Sequence, residues 1–370
     1  MESLQGSHKS KSALIVKMGA IGDIIMTLPG VRLLYERGFE IHWVCGRDLQ
    51  PLLECYPWMV LVPVNDRAIL KGSPFERWRA ITSLWRKLAL RKWDLCATLY
   101  YDVRYRILTL PVWARRKIAI SQGLGPTSVL PDRSYADEFT RVLLDTEDGC
   151  RPQSIEPLKP ARLPPSPLPA KTAERRILIV PGGATNFHSQ QTLRRWPIEL
   201  YVSLAMSLRK RNWEVVLLGG PEDVWVRPFF EQIEATDCLG TLSIPEVISV
   251  CNTCDAVVSH DTGPLHLAGL SSAILVGIFG PTNPARILPR RPGVVGIWGG
   301  QGYACRPCYS GRGFAPCLSA GCMSEVTPDF VMHHLLRLMD AKARGILEPW
   351  NVILAPTASG QSNELMQVAG

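Results

Sequence analysis

Two short polar clusters, each directly after an apolar run, carry residue types suited to holding an anion. Ser259-His260-Asp261-Thr262-Gly263-Pro264-Leu265-His266 follows Asp255-Ala256-Val257-Val258, and Pro181-Gly182-Gly183-Ala184-Thr185 follows Ile177-Leu178-Ile179-Val180. N–H groups at a helix start lack internal partners and carry partial positive charge. Thr262 and Gly263, with His266 one turn further on, therefore suit phosphate oxygens, as does the hydroxyl of Thr185. Arg194 and Arg195 precede Trp196-Pro197, and their planar forks can bind a diphosphate bidentately. Two such turns in one half of a chain suggest a diphosphate held between two loops. A third strand end, Leu217-Leu218-Gly219-Gly220-Pro221-Glu222-Asp223, offers carboxylates that cap a helix or accept hydrogen bonds from ribose hydroxyls.

Near the amino terminus, Lys17-Met18-Gly19-Ala20-Ile21-Gly22-Asp23 follows the first apolar strand. Its glycines permit a tight turn, but G-x-x-G lacks the full dinucleotide fingerprint. Asp23 reads either as a helix N-cap carboxylate, worth ~1 kcal/mol, or as a general base. Cys305, Cys308, Cys317 and Cys322 have a spacing compatible with a tetrahedral structural zinc or iron site; reduced, unligated thiols are the alternative. Cys251 and Cys254 flank a strand and read as core.

Elements must position these groups. Strands are expected at 13–17, 41–45, 59–63, 94–99 and 117–120, with a helix over 22–37. Continuous apolar strands separated by helices imply a parallel sheet covered on both faces in a doubly wound, Rossmann-like domain. Prolines crowd 151–173, which reads as a linker. The alternation then restarts, with strands at 177–180, 214–218, 255–259 and 273–279 and helices at 197–211, 222–234 and 327–342. The expected fold is therefore α/β, two doubly wound domains facing a central cleft. Their boundaries are 1–150, a linker at 151–175, and 176–345 with a cysteine-rich insertion at 303–323; 346–370 reads as a polar tail.

The 370 residues carry a net charge of +8, with 46% hydrophobic residues, as expected of a soluble globular protein. The basic excess reads as a solvated surface or as a match to an acidic partner. No zinc-finger repeat, aromatic RNA-binding motif or long basic run points to nucleic acid. The sequence opens without a secretory signal and has no run long enough to cross a bilayer, so a cytoplasmic location is expected. Trp78, Trp85 and Trp93, interleaved with Arg77, Arg79, Arg86, Lys87, Arg91 and Lys92, could touch a membrane peripherally. An amphipathic helix packing its tryptophans on the core is the favoured reading of that stretch.

Taken together these motifs resemble glycosyltransferase family 9, the ADP-heptose heptosyltransferase family, from about Ala13 to Leu338. The pieces that carry the likeness are Lys17–Asp23, Gly182–Thr185, Arg195-Trp196-Pro197, Ser259–His266 and Phe279-Gly280-Pro281-Thr282-Asn283-Pro284. The resemblance implies a GT-B fold and inverting, metal-independent transfer from an ADP-sugar. The carboxyl-terminal domain would bind the nucleotide and the amino-terminal domain the acceptor, a glycan, glycolipid or protein. It implies Asp23 as base, Thr185, Arg194 or Arg195, Thr262, Gly263 and His266 as diphosphate contacts, Glu222 at the ribose, and Asp261 at the sugar or as a loop organiser. No cofactor is implied for catalysis. The cysteine-rich segment is similar to one in a protein-modifying subset, where such a cluster can bind iron. The family often has lysine where this chain has Arg194, which keeps the charge but not the point geometry. The expected reaction is heptosyl transfer to the lipopolysaccharide core, at the cytoplasm or the inner membrane. A protein or small-molecule acceptor, a nucleotide-sugar epimerase and a non-catalytic nucleotide-binding module are the alternatives.

Overall fold

The structure, a computed structural model, describes residues 11–121, 125–130, 133–145, 155–184, 191–309, 313–317 and 319–356. The chain divides into two compact units. One holds the described residues of Met1–Gly19 and Met26–Pro152, the other those of Ala20–Ile25 and Gln153–Gly370.

The first unit is built on β1 (Lys11–Val16), β2 (Phe39–Gly46), β3 (Met59–Val64), β4 (Lys92–Thr98) and β5 (Trp113–Ala119), with α1 (Ile21–Glu36), α2 (Gln50–Glu54), α3 (Asp66–Lys71), α4 (Pro74–Leu88), α5 (Val103–Leu108) and α6 (Tyr135–Leu144) between or after them. The sheet order is β3-β2-β1-β4-β5, and every pairing is parallel. Central β1 is buried from Ser12 onward, as a parallel strand covered on both faces must be. Local signals set helix starts. Ser73 and Glu76 exchange hydrogen bonds in a capping box at α4, and the side chain of Asn65 accepts from the Ala68 N–H at α3. The tryptophans of the α4–β4 stretch divide. Trp93 is buried, Trp85 is half-buried and donates through Nε1 to the Ile107 carbonyl, and Trp78 is 61% exposed. Packing on the core therefore accounts for only part of that pattern.

The second unit carries β6 (Arg176–Val180), β7 (Glu214–Gly219), β8 (Thr236–Leu239), β9 (Ala256–His260), β10 (Ile274–Phe279), β11 (Val294–Trp298) and β12 (Asn351–Leu354). Its helices are α7 (Ile198–Arg209), α8 (Arg227–Phe230), α9 (Ile244–Asn252), α10 (Gly263–Gly269), α11 (Pro284–Ile287), α12 (Gly321–Ser324) and α13 (Pro328–Ala343). The strand order is β12-β11-β10-β9-β6-β7-β8, again wholly parallel. Ile177, Ile179, Val258, Val276, Ile278 and Ile297 meet Trp196, Tyr201, Leu204 and Leu335 in one buried cluster.

Three sequence expectations change here. The sheet does not end at β10, because β8, β11 and β12 extend it, and β12 lies inside the stretch read as a polar tail. The helix expected at 222–234 is a 3-10 turn over Pro221–Val226 followed by the single turn α8, since prolines at 221 and 228 remove N–H donors from any longer helix. The proline-rich segment, described from residue 155, has no helix or strand but is tied to the second unit. Pro164 accepts a hydrogen bond from the Ser249 hydroxyl and Pro169 one from Arg176.

Candidate functional site

In a doubly wound sheet, ligands collect at the carboxyl ends of the strands where strand order reverses. In the second unit that point lies between β6 and β9, and both glycine-bearing clusters sit there. The turn after β6 runs through Gly183 and Ala184, both at positive φ, 85° and 54°. A side chain on Gly182 would strike Asp223, and one on Gly183 would strike the Thr262 hydroxyl, each at 2.5 Å. The Thr262 oxygen accepts from the Ala184 N–H at 3.1 Å and keeps its own proton to donate. Three strand-end loops are thereby joined, after β6, β7 and β9. Thr185 lies outside the described residues.

The adjacent arginines differ in task. Arg195 donates from Nε to the Gly183 carbonyl at 2.7 Å and covers the Trp225 ring at 5.0 Å; burial pulls its pKa below the ordinary value. It braces the turn. Arg194, at the end of the 3-10 turn Thr192–Arg194, sets Nη1 3.2 Å from Asp261 Oδ2. Asp261 is 3% exposed and also accepts from the Thr282 hydroxyl at 2.8 Å. That carboxylate thus links the loop after β9 to the one after β10.

His266 lies in α10 and is buried. Burial lowers its pKa, against the charges of Asp261 and Asp23, which raise it. Its ring fills the space a side chain on Gly22 would need, with ring atoms 2.5 Å from such a Cβ. The first turn of α1, within Ala20–Ile25, belongs with the second unit. Asp23 lies within that first turn, two residues past its start, so it is not the N-cap. Because α10 is only two turns long, its dipole is modest, and the arginines are the stronger source of positive charge.

Glu222 is exposed at the start of its 3-10 turn, whereas neighbouring Asp223 is buried. Asp223 Oδ1 accepts from the Gly183 N–H at 2.6 Å and Oδ2 from the Gly220 N–H at 2.8 Å. Sequence reasoning saw both acids and singled out Glu222. The signal for Asp223 was its position three residues beyond Gly220, the reach of a capping carboxylate.

The metal set expected from the cysteine spacing is not assembled: among the described residues, no three His, Cys, Asp or Glu side chains converge to hold an ion. Cys305 and Cys317 are exposed, Cys308 and Cys322 half-buried. The Cys322 sulfur lies against Gly280, and burial, then its thiol neighbours, pushes its pKa up to about 11. A tetrahedral site would need all four sulfurs turned to one point; Cys308, Cys317 and Cys305 lie near enough to help raise the Cys322 pKa, yet no three of them converge among the described residues. Cys251 and Cys254 are buried core residues.

Comparison with known proteins bears on the fold and the class of protein. Residues 163–312 match glycosyltransferase family 9 (heptosyltransferase). The lipopolysaccharide core heptosyltransferase OpsX of Haemophilus influenzae is 24% identical over 298 residues, spanning 75% of this chain and 82% of that protein. A solved family 9 glycosyltransferase from Veillonella parvula superposes with a TM-score of 0.69 at 20% identity, covering 89% of this chain and 97% of its own. The ADP-heptose lipopolysaccharide heptosyltransferase II of E. coli gives 0.67 at 18% identity, covering 90% and 99%. The fold is GT-B, built from two Rossmann-like domains, and the protein is a glycosyltransferase. Its second unit resembles glycosyltransferase family 9, the heptosyltransferase family, over residues 163–312.

Proposed function

We propose that the protein transfers a heptose, or a closely related sugar, from an ADP-sugar to an acceptor hydroxyl of the lipopolysaccharide core, with inversion and without a catalytic metal. The observation that carries this reading is the joining of three strand-end loops at the β6/β9 switch point, with Arg194 and Arg195 beside them. Two guanidinium groups, the Thr262 hydroxyl and nearby N–H groups can stabilise charge developing on a departing diphosphate without a cation. Arg194 and Arg195, with Thr185, Thr262, Gly263 and His266, are the diphosphate contacts in this reading. Glu222 is at the ribose, and Asp261 orients Arg194.

In the reaction, the acceptor oxygen attacks the anomeric carbon from the face opposite the nucleotide. The bond from that carbon to the diphosphate oxygen breaks, ADP leaves with the electron pair, and the Asp23 carboxylate takes the acceptor proton. Attack on the far face inverts the anomeric centre. The likeness to glycosyltransferase family 9 over residues 163–312 favours this over the epimerase and over a non-catalytic module. An acceptor on a protein remains the second reading, favoured by the cysteine-rich segment.

The first unit supports a membrane-proximal acceptor. Phe75 (68% exposed) and Trp78 stack on α4 with centroids 6.3 Å apart, among exposed Arg77, Arg79, Arg86 and Lys87. Leu90, Val103, Ile107, Leu110 and Trp113 are also exposed in this unit. Apolar side chains among basic ones suit an anionic lipid surface. Among the described residues no helix is long and apolar enough to cross a membrane. In this reading the exposed apolar and basic side chains of the first unit meet the inner membrane from its cytoplasmic face.

The test is incubation of purified protein with ADP-heptose and heptose-free lipopolysaccharide core, reading the product by mass and its anomeric configuration by NMR, with and without chelator. Transfer with inversion, unaffected by chelator, is expected. Asp23→Asn should retain ADP binding and lose on the order of 10²–10⁴ in rate. Transfer to a protein alone would replace the acceptor assignment, and full activity in Asp23→Asn would remove the base.

A further inference from the structure

The cysteine-rich segment is the part of the second unit that the reaction leaves unused. Among its described residues no metal site is assembled, yet several of them are anchored. Tyr309 donates its N–H to the Pro281 carbonyl at 3.2 Å and Ala315 donates to Cys308 at 3.1 Å. Arg306 stacks on Trp298 at 4.1 Å and donates to the Gly299 carbonyl, and Glu325 accepts from the Gly300 N–H at 2.6 Å. These anchors bring two aromatic rings to one place. Tyr309 and Phe314 bridge as antiparallel partners, with ring centroids 5.0 Å apart.

Both rings meet the guanidinium of Arg194, at 4.8 Å for Tyr309 and 5.6 Å for Phe314. One edge of the same guanidinium meets Asp261, whose other partner, Thr282, adjoins the Pro281 that receives the Tyr309 N–H. Nε of Arg194 is buried with no hydrogen-bond partner among the described residues, so the fork is held on its face and one edge while a donor stays uncommitted. A long arginine side chain carries ~2 kcal/mol of rotamer entropy, which a loose arginine loses each time it grips an anion. Aromatic rings over the guanidinium face remove that freedom in advance. A lysine, with no planar face, would not be held in the same way.

We propose that Tyr309 and Phe314 are positioning residues that hold Arg194 ready for the diphosphate of the nucleotide-sugar donor, and that this mount is what the cysteine-rich segment supplies to the site. The proposal rests on the donor-site reading above. It also accounts for arginine, and not lysine, at position 194.

Calorimetric titration with ADP tests it. Tyr309→Ala with Phe314→Ala should weaken ADP binding about three- to thirtyfold, the range open to a partly desolvated cation–π contact. The conservative pair Tyr309→Phe with Phe314→Tyr should restore binding to near wild type. In an Arg194→Ala background the alanine pair should add no further loss, because the rings act only through the arginine. A merely structural role would instead give additive losses. Additive losses, or wild-type affinity in the alanine pair, would overturn the mount while leaving the donor site intact. A wild-type protein that binds no ADP would overturn the donor-site reading, and the mount with it.

Discussion

The carboxylate of Asp223 accepts the backbone N–H of Gly183, 40 residues earlier in the chain, at 2.6 Å. Its second oxygen holds Gly220, so one buried side chain fixes the loops after β6 and β7 together. Asp223→Ala removes the acceptor of two backbone N–H groups and leaves buried donors unmatched, a loss of about 1–3 kcal/mol. We expect a lower denaturant midpoint and weaker ADP binding, whereas Glu222→Ala, at an exposed position, should leave the midpoint unchanged. Equal effects from the two would remove the special role of Asp223.

Gly22 and His266 form a steric pair. Gly22→Ala sets a methyl group where the imidazole lies, and overpacking of this kind costs about 1–3 kcal/mol. His266→Ala should recover much of that stability in the double variant, read by thermal melting. Without such recovery, the imidazole would not be what excludes a side chain at position 22.

Lipid contact by the first unit is testable with vesicles of phosphatidylglycerol and phosphatidylcholine. Phe75→Ala with Trp78→Ala removes two side chains, each contributing about 1.5–3 kcal/mol if buried in the interface, so sedimentation with vesicles should fall at least tenfold. Raised salt should weaken binding of the wild type as well. Unchanged sedimentation of the double variant would assign these residues to another partner.

Acid should destabilise the second unit in two stages. His260 is buried, and burial holds its pKa down at about 3 from an ordinary 6.5. Between those values the unfolded chain binds a proton that the folded chain refuses, so stability falls as pH drops below 6.5. At Glu214 burial raises the pKa, but hydrogen bonds from Thr172, Ala173 and Arg176 outweigh it and hold the carboxyl at about 2. Its contribution is present above pH 4.5 and lost as pH falls towards 2. Urea midpoints measured from pH 7 to pH 3 should decline, and His260→Gln should flatten the decline between pH 6.5 and pH 4. A slope unaltered by that substitution would point to other groups.

The sequence announced the interior strands best. β1, β6, β9 and β10 are apolar runs buried on both faces, and a covered parallel strand has little choice but to look that way. The later strands were hidden for different reasons. β8 is short, with its first two residues exposed; β11 is interrupted by Gly296; and β12 is only four residues long, between prolines at 349 and 356. At the site, residue types were legible but partners were not. Spacing could offer Arg194 and Arg195 together, yet only the fold gives one to Asp261 and the other to the Gly183 carbonyl. It could not choose between Glu222 and Asp223, since adjacent acids differ only in which way a turn points them. Nor could it foresee that the Cys322 sulfur packs on Gly280, because cysteine intervals fix reach and not direction.

The position of β12 bears on how this protein can be shortened. A truncation ending at α13 would look harmless in the sequence, yet it would strip the partner from β11 and expose a row of unsatisfied backbone groups beside Val294 and Ile297. Such a margin recruits strands from neighbouring molecules. A version cut after residue 345 is therefore expected to aggregate, while one retained through residue 356 should stay monodisperse.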